Sequence, residues 1–268
     1  MAPFRIFCFP YAGGSSWIFR QLASQLRERA EIIAVDLPGR GRRRTEACID
    51  EWPEVRDRLV AELAPTMREP YALLGYSAGA LVALDLAREL ARRGVNAARP
   101  SALFACALRG PRLIRHPQLL HRMEDRPMFE ALRELGGIPD ELLDMPELIA
   151  LSAPAMRADL RLFETYEPAQ PPLEDVPVHA YYGRNDHSVG DGYLAWQHET
   201  HAGFQARAFD GGHMFLHDDA IAFGDALIAD LTAVAVRDRV NRWQDAASGG
   251  ETPAGPARAA NLTQIREA

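Results

Sequence analysis

A chain of 268 residues with 47% apolar and 25% charged side chains has the material for a sizeable buried core, which excludes a disordered or low-complexity protein. The net charge of −7 argues against a general nucleic-acid binder, whose phosphate-contacting surface shows as a basic excess. No apolar run reaches the roughly 18 residues that span a bilayer, the N-terminal stretch lacks a leader pattern, and Cys8, Cys48 and Cys106 form neither a disulfide framework nor a zinc spacing, so a cytoplasmic protein is expected.

In chain order, short β-rich runs alternate with helical patterns. "FRIFCFP" (4–10) predicts a strand, 17–29 a helix, and "EIIAVDL" (31–37) a second strand. "PYALLGY" (70–76) and "SALFACAL" (101–108) are two more, each preceded by a helical segment. These runs are almost continuously apolar, as expected when helices cover both faces of a parallel sheet. The expected fold class is therefore α/β, with a mostly parallel central sheet flanked by helices.

From about 109 to 167 no strand is predicted. Pro-punctuated helical pieces take over: "RPMFEALRELGG", "IPDELLDMPELIALSA" and "PAMRADLRLFETYE", with Pro139 and Pro146 each opening a pattern. Such an insertion is either a lid over a substrate chamber or a packing subdomain. The rhythm resumes with a strand at 177–183, a helix near 192–200, a strand at 204–209 and a helix over 218–236. One domain over 1–243 is expected, followed by an aperiodic Ala/Gly/Pro-rich tail, 244–268, expected to be disordered.

The chemistry centres on Gly75-Tyr76-Ser77-Ala78-Gly79, set between an apolar strand and an apolar helix. That context is what a nucleophile elbow requires: a tight turn lifts the serine hydroxyl clear of the sheet, and the helix N-terminus faces the developing oxyanion. A small-residue packing turn is the bland alternative. A serine needs a base and an orienting acid, which follow in the order Ser, Asp/Glu, His on such a fold. "GRNDHSVG" supplies Asp186 just after a strand, and "FDGGHMFL" supplies His213 before the last helix. Asp191 and Asp210 are alternative acids; His187 adjoins Asp186 and is a poor partner for it. A metal site of His213, His217 and Asp218 lacks the internal glutamate of H-E-x-x-H. The oxyanion donors expected are the N–H groups of Ala78 and, from the loop "FPYAGGSS", Ala12. Ser15 or Ser16 in that loop is also suited to cap a helix.

Taken together, "FCFPYAGGSS", "VDLPGRGRR", "LLGYSAGALVAL", "RELGGIPDELL" with "APAMRADLRLFETYE", "GRNDHSV" and "GGHMFL" resemble, over about 4–235, the type II or editing thioesterases of polyketide and nonribosomal-peptide assembly lines. The resemblance implies an α/β-hydrolase fold with a helical lid. It implies hydrolysis of acyl groups from the phosphopantetheine thiol of acyl or peptidyl carrier proteins, through an acyl-Ser77 intermediate, with His213 as base and Asp186 orienting it. No metal or redox cofactor is implied, because the pantetheine arm belongs to the substrate. The family commonly has histidine at the position of Tyr11, and histidine and methionine at those of Tyr76 and Ala78; these departures bear on pocket shape and acyl preference. The basic run "GRGRRR" (39–44) is either a docking patch for acidic carriers or a solvated loop. An esterase or lipase, and a catalytically dead interaction module, are the rival readings.

Overall fold

The computed structural model describes residues 4–67, 70–94, 99–134, 138, 140–168 and 171–248. Among them, six strands form one sheet: β1 (Phe4–Phe9), β2 (Ala30–Ala34), β3 (Tyr71–Tyr76), β4 (Leu103–Cys106), β5 (Val178–Gly183) and β6 (Phe204–Phe209). Their spatial order is β2-β1-β3-β4-β5-β6, and every neighbouring pair is parallel. Each strand overlaps a run predicted from sequence: β6 coincides with its run, and the others differ from theirs at one or both ends.

The helices are α1 (Arg20–Leu26), α2 (Trp52–Leu63), α3 (Ala78–Arg92), α4 (Asp125–Glu134), α5 (Pro146–Glu164), α6 (Phe215–Asp218) and α7 (Ala220–Ser248). Alternation along the strands feeds two separate cores. Phe7, Phe9, Tyr71 and Leu73 face α2 and α3, whereas Ile6, Cys8, Leu74 and Tyr76 face α1 and α7. Both faces are thus covered, which is why the strands read as unbroken apolar runs.

Several elements differ from expectation. The start of the 17–29 helix is a 3₁₀ turn, Ser16–Phe19, and Gly190–Glu199 is 3₁₀ rather than α-helical. The two helical pieces on either side of Pro154 are one helix, α5, which runs through the proline. The residue has no N–H to donate four residues back, and packing holds the helix together across the gap: Ile149, Ala153, Met156 and Leu160 sit in one cluster with Met128 and Phe129. The 109–167 stretch therefore carries a small core of its own. Helix α7 extends to Ser248, into the segment expected to be tail. Residues 249–268 and Pro139 lie outside the described residues.

Candidate active site

Parallel strands deliver their following loops to one edge of the sheet, where sites collect in open α/β folds. Four such loops matter here. Ala12 follows β1, Ser77 follows β3, Asp186 follows β5 and His213 follows β6.

Ser77 sits at φ 53°, ψ −124°, a left-handed conformation that costs a non-glycine residue about 1–3 kcal/mol. The turn is over-determined by its neighbours. The Ser77 N–H donates to the Cys106 carbonyl at 2.7 Å, and its own carbonyl accepts from Ala80 at 2.8 Å. The flanking glycines are required by close approach. A Cβ on Gly75 would lie 2.3 Å from the Ala80 Cα, and one on Gly79 would lie 2.3 Å from the Phe9 carbonyl oxygen.

His213 joins the two other residues singled out from sequence. Its Nε2 is 3.1 Å from Ser77 Oγ and its Nδ1 is 2.8 Å from Asp186 Oδ2. Asp186 is 5% exposed. Burial alone would raise its pKa, but hydrogen bonds from His213 and from Ser188 outweigh that and hold it below the usual carboxylate value. The competitors stand elsewhere: His187, Asp191, Asp210 and His217 are exposed, and Asp210 pairs with Arg184.

Ala12 and Ala78 line one cleft, together with apolar side chains such as Leu37, Trp52, Val82 and Phe163. Ala78 is the first residue of α3, so its amide has no partner within the helix. In the β1 loop, Ser15 occupies a helix-capping position without a side-chain bond, while Ser16 Oγ donates to Asp36 at 2.9 Å.

Four residues, Ser188, Tyr76, Asp159 and Arg40, make contacts at the site that the sequence did not assign to them. Ser188 donates to Asp186 Oδ1 through both its N–H, at 3.0 Å, and its hydroxyl, at 2.5 Å. The Asp-x-Ser spacing is a signal for this, since an aspartate commonly accepts from the amide two residues on. The Tyr76 hydroxyl donates to the His213 carbonyl at 2.6 Å and accepts from the Leu216 N–H at 3.4 Å. Burial pushes its pKa up, so it stays a donor. Tyr76 belongs to the core on the α7 side and does not line the cleft, so its departure from the family pattern bears on the base rather than on pocket shape. Tyr11 packs edge-on against it, with ring centroids 6.4 Å apart. Asp159 and Arg40, a buried ion pair, also line the cleft.

The basic run is largely neutralised within the molecule. Arg40 is consumed by Asp159, and Arg43 is bound by Glu46 and Glu62. Arg42 reaches Asp36 but is 77% exposed, and Arg44 is exposed.

Comparison with known proteins gives the family. The family model for the thioesterase domain matches residues 4–230. Thioesterase PikA5 of Streptomyces venezuelae is 34% identical over 216 residues, covering 80% of this chain and 76% of that protein. The structure of the type II thioesterase BorB, from the borrelidin biosynthetic cluster, superposes with a TM-score of 0.76 at 30% identity, covering 86% of this chain and 93% of that one. That of the RedJ thioesterase, from the prodiginine pathway of Streptomyces coelicolor, gives 0.73 at 35% identity, covering 87% and 91%. With an α/β-hydrolase sheet, a serine at a strained strand-to-helix turn and a family match spanning most of its length, the chain belongs to the thioesterase family of serine hydrolases.

Proposed function

We propose that this thioesterase removes acyl groups from the phosphopantetheine thiol of acyl or peptidyl carrier proteins, editing stalled or misprimed polyketide or nonribosomal-peptide synthases. The observation that carries the reading is the Ser77–His213–Asp186 relay, 3.1 and 2.8 Å, beside an apolar cleft that both expected oxyanion residues line. The names of its relatives supply the biosynthetic setting.

The chemistry runs in two halves. As Ser77 Oγ attacks the thioester carbonyl carbon, His213 Nε2 takes its proton, and the carbonyl oxygen becomes an anion held by the Ala12 and Ala78 N–H groups. The C–S bond then breaks and His213 returns the proton to the departing thiolate. A water attacks the acyl-Ser77 ester while His213 accepts its proton; the ester C–O bond then breaks as His213 returns that proton to Ser77 Oγ, which releases the acid and restores the serine hydroxyl. Asp186 keeps the Nδ1–H tautomer and stabilises the imidazolium; the two bonds from Ser188 keep that carboxylate ionised and aimed. Residues 109–167 serve as the lid, with α5 forming one wall of the cleft.

Ser77→Ala is expected to lower kcat on an acyl-carrier thioester by about 10³-fold or more, with an unchanged melting temperature. Hydrolysis at the wild-type rate would refute the mechanism.

A further inference from the structure

Two residues one turn apart on α5, Met156 and Asp159, close on the oxyanion loop at Gly13. Asp159 Oδ2 accepts from the Gly13 N–H at 2.7 Å, and the same oxygen is paired with Arg40 Nη1. Asp159 is 6% and Arg40 5% exposed. Burial opposes the charge on Arg40, and the adjoining Asp159 carboxylate more than offsets it, so the guanidinium stays charged and anchors the side chain that accepts from the loop. Gly13 itself is held at φ +70°, and a Cβ there would lie 2.6 Å from Met156 Cε. Its neighbour Ala12 packs on the core of the 109–167 insertion, alongside Met156 and Leu160, and belongs to neither sheet core. By contrast, the Ala78 amide is set by the elbow and the start of α3, which are tied to Cys106 of β4 and packed on the end of β1.

We infer that Asp159 is a positioning residue of the oxyanion site: through Gly13 it holds the Ala12 loop in place only while α5 is seated over the cleft. This rests on the acyl-transfer reading above. One donor is therefore permanent and the other is conditional on closure. An acyl group that fits beneath α5 meets both, whereas one that lifts the helix meets a half-built site. Discrimination between acyl groups then falls on kcat rather than on KM.

The double variant Asp159→Leu/Arg40→Met removes the acceptor without leaving a buried charge unpaired. With a carrier-bound substrate its kcat is expected to fall about 10²- to 10³-fold, the range for one lost oxyanion donor, with KM within about threefold. The inhibition constant of a trifluoromethyl ketone thioether analogue should rise by a comparable factor, because its hemiketal oxygen occupies the same site. In Asp159→Asn/Arg40→Met the amide oxygen still accepts from Gly13 and no buried charge is left unpaired, so most of the lost kcat should be recovered. An Asp159→Leu/Arg40→Met variant whose kcat and inhibition constant stay within twofold of the parent overturns the assignment. So does an Asp159→Asn/Arg40→Met variant as impaired as the leucine one. If neither variant folds, amide exchange in the parent protein decides. Protection of the Gly13 N–H that increases when the ketone binds supports the assignment, and exchange at exposed-loop rates in the bound state overturns it. Ser77→Ala measured alongside separates the two levels. Activity in that variant undoes the acyl-transfer reading, whereas an inactive Ser77→Ala beside an unaffected Asp159→Leu/Arg40→Met variant undoes the role of Asp159 alone.

Discussion

At the scale of the residue, Tyr76 does the least expected work. It adjoins the nucleophile in sequence, yet its side chain leaves the active-site edge and enters the α7-side core, where its hydroxyl holds the backbone of the base. Phe215 packs against the same ring, with centroids 5.4 Å apart, and the Leu216 N–H adds a second tie. The loop bearing His213 is thus pinned to the strand that bears Ser77. Tyr76→Phe keeps the ring packing and deletes only the hydroxyl, leaving the His213 carbonyl without that donor. An unpaired buried acceptor costs about 1–3 kcal/mol. The variant is expected to lose stability of that order in urea unfolding, and to show kcat about tenfold lower with KM nearly unchanged. An unaltered kcat would mean that packing alone positions the base. The Ser77, Asp186 and His213 identities were legible because each sits just beyond a run that reads as a strand. Tyr76 was noticed only as a departure from a family pattern, since nothing in a sequence says which way an elbow side chain turns.

At the scale of the element, the elbow shows local preference and tertiary contact in opposition. Alanine suits a helix better than glycine by about 1 kcal/mol, and Gly79 lies in the first turn of α3. A Cβ there would nevertheless sit 2.3 Å from the Phe9 carbonyl oxygen and 2.4 Å from that of Pro10, backbone atoms that cannot swing aside. Overpacking of this kind costs about 1–3 kcal/mol or more, so sterics should win. Gly79→Ala is expected to be net destabilising, read as a lower denaturant midpoint, and to impair turnover because β1 leads directly into the oxyanion loop. A midpoint equal to or above that of the parent would contradict this close approach. Helix α5 is the complementary case. Pro154 reads locally as a break, which divides the predicted helix into two pieces. The core around Met128, Phe129 and Met156 compensates for the missing hydrogen bond, and such a core involves residues too distant in sequence for a local pattern to reveal.

At the scale of the whole molecule, charge is distributed less simply than the count of 30 basic and 37 acidic residues implies. Arg40 and Arg43 of the basic run are already paired, with Asp159 and with Glu46 and Glu62, which leaves Arg42 and Arg44 facing solvent. Two screened surface charges contribute little to docking. Reversing both, Arg42→Glu/Arg44→Glu, is expected to change KM for a carrier-bound thioester by less than about threefold at physiological salt, and to leave a small thioester unaffected. A tenfold rise confined to the carrier-bound substrate would instead identify the run as a docking surface.

The sequence by itself determined the α/β class and the strand runs, and it singled out Ser77, Asp186 and His213, which the structure brings into hydrogen-bond contact, because burial on both faces of a parallel sheet and the needs of acyl chemistry leave local signatures. Only the tertiary structure decided what orients them. It joined Tyr76 to His213, Ser188 to Asp186, and Asp159 to Gly13, the last across 146 positions of chain. These contacts arise where separate elements converge on one sheet edge. Their geometry is set by how those elements pack, which no local spacing encodes.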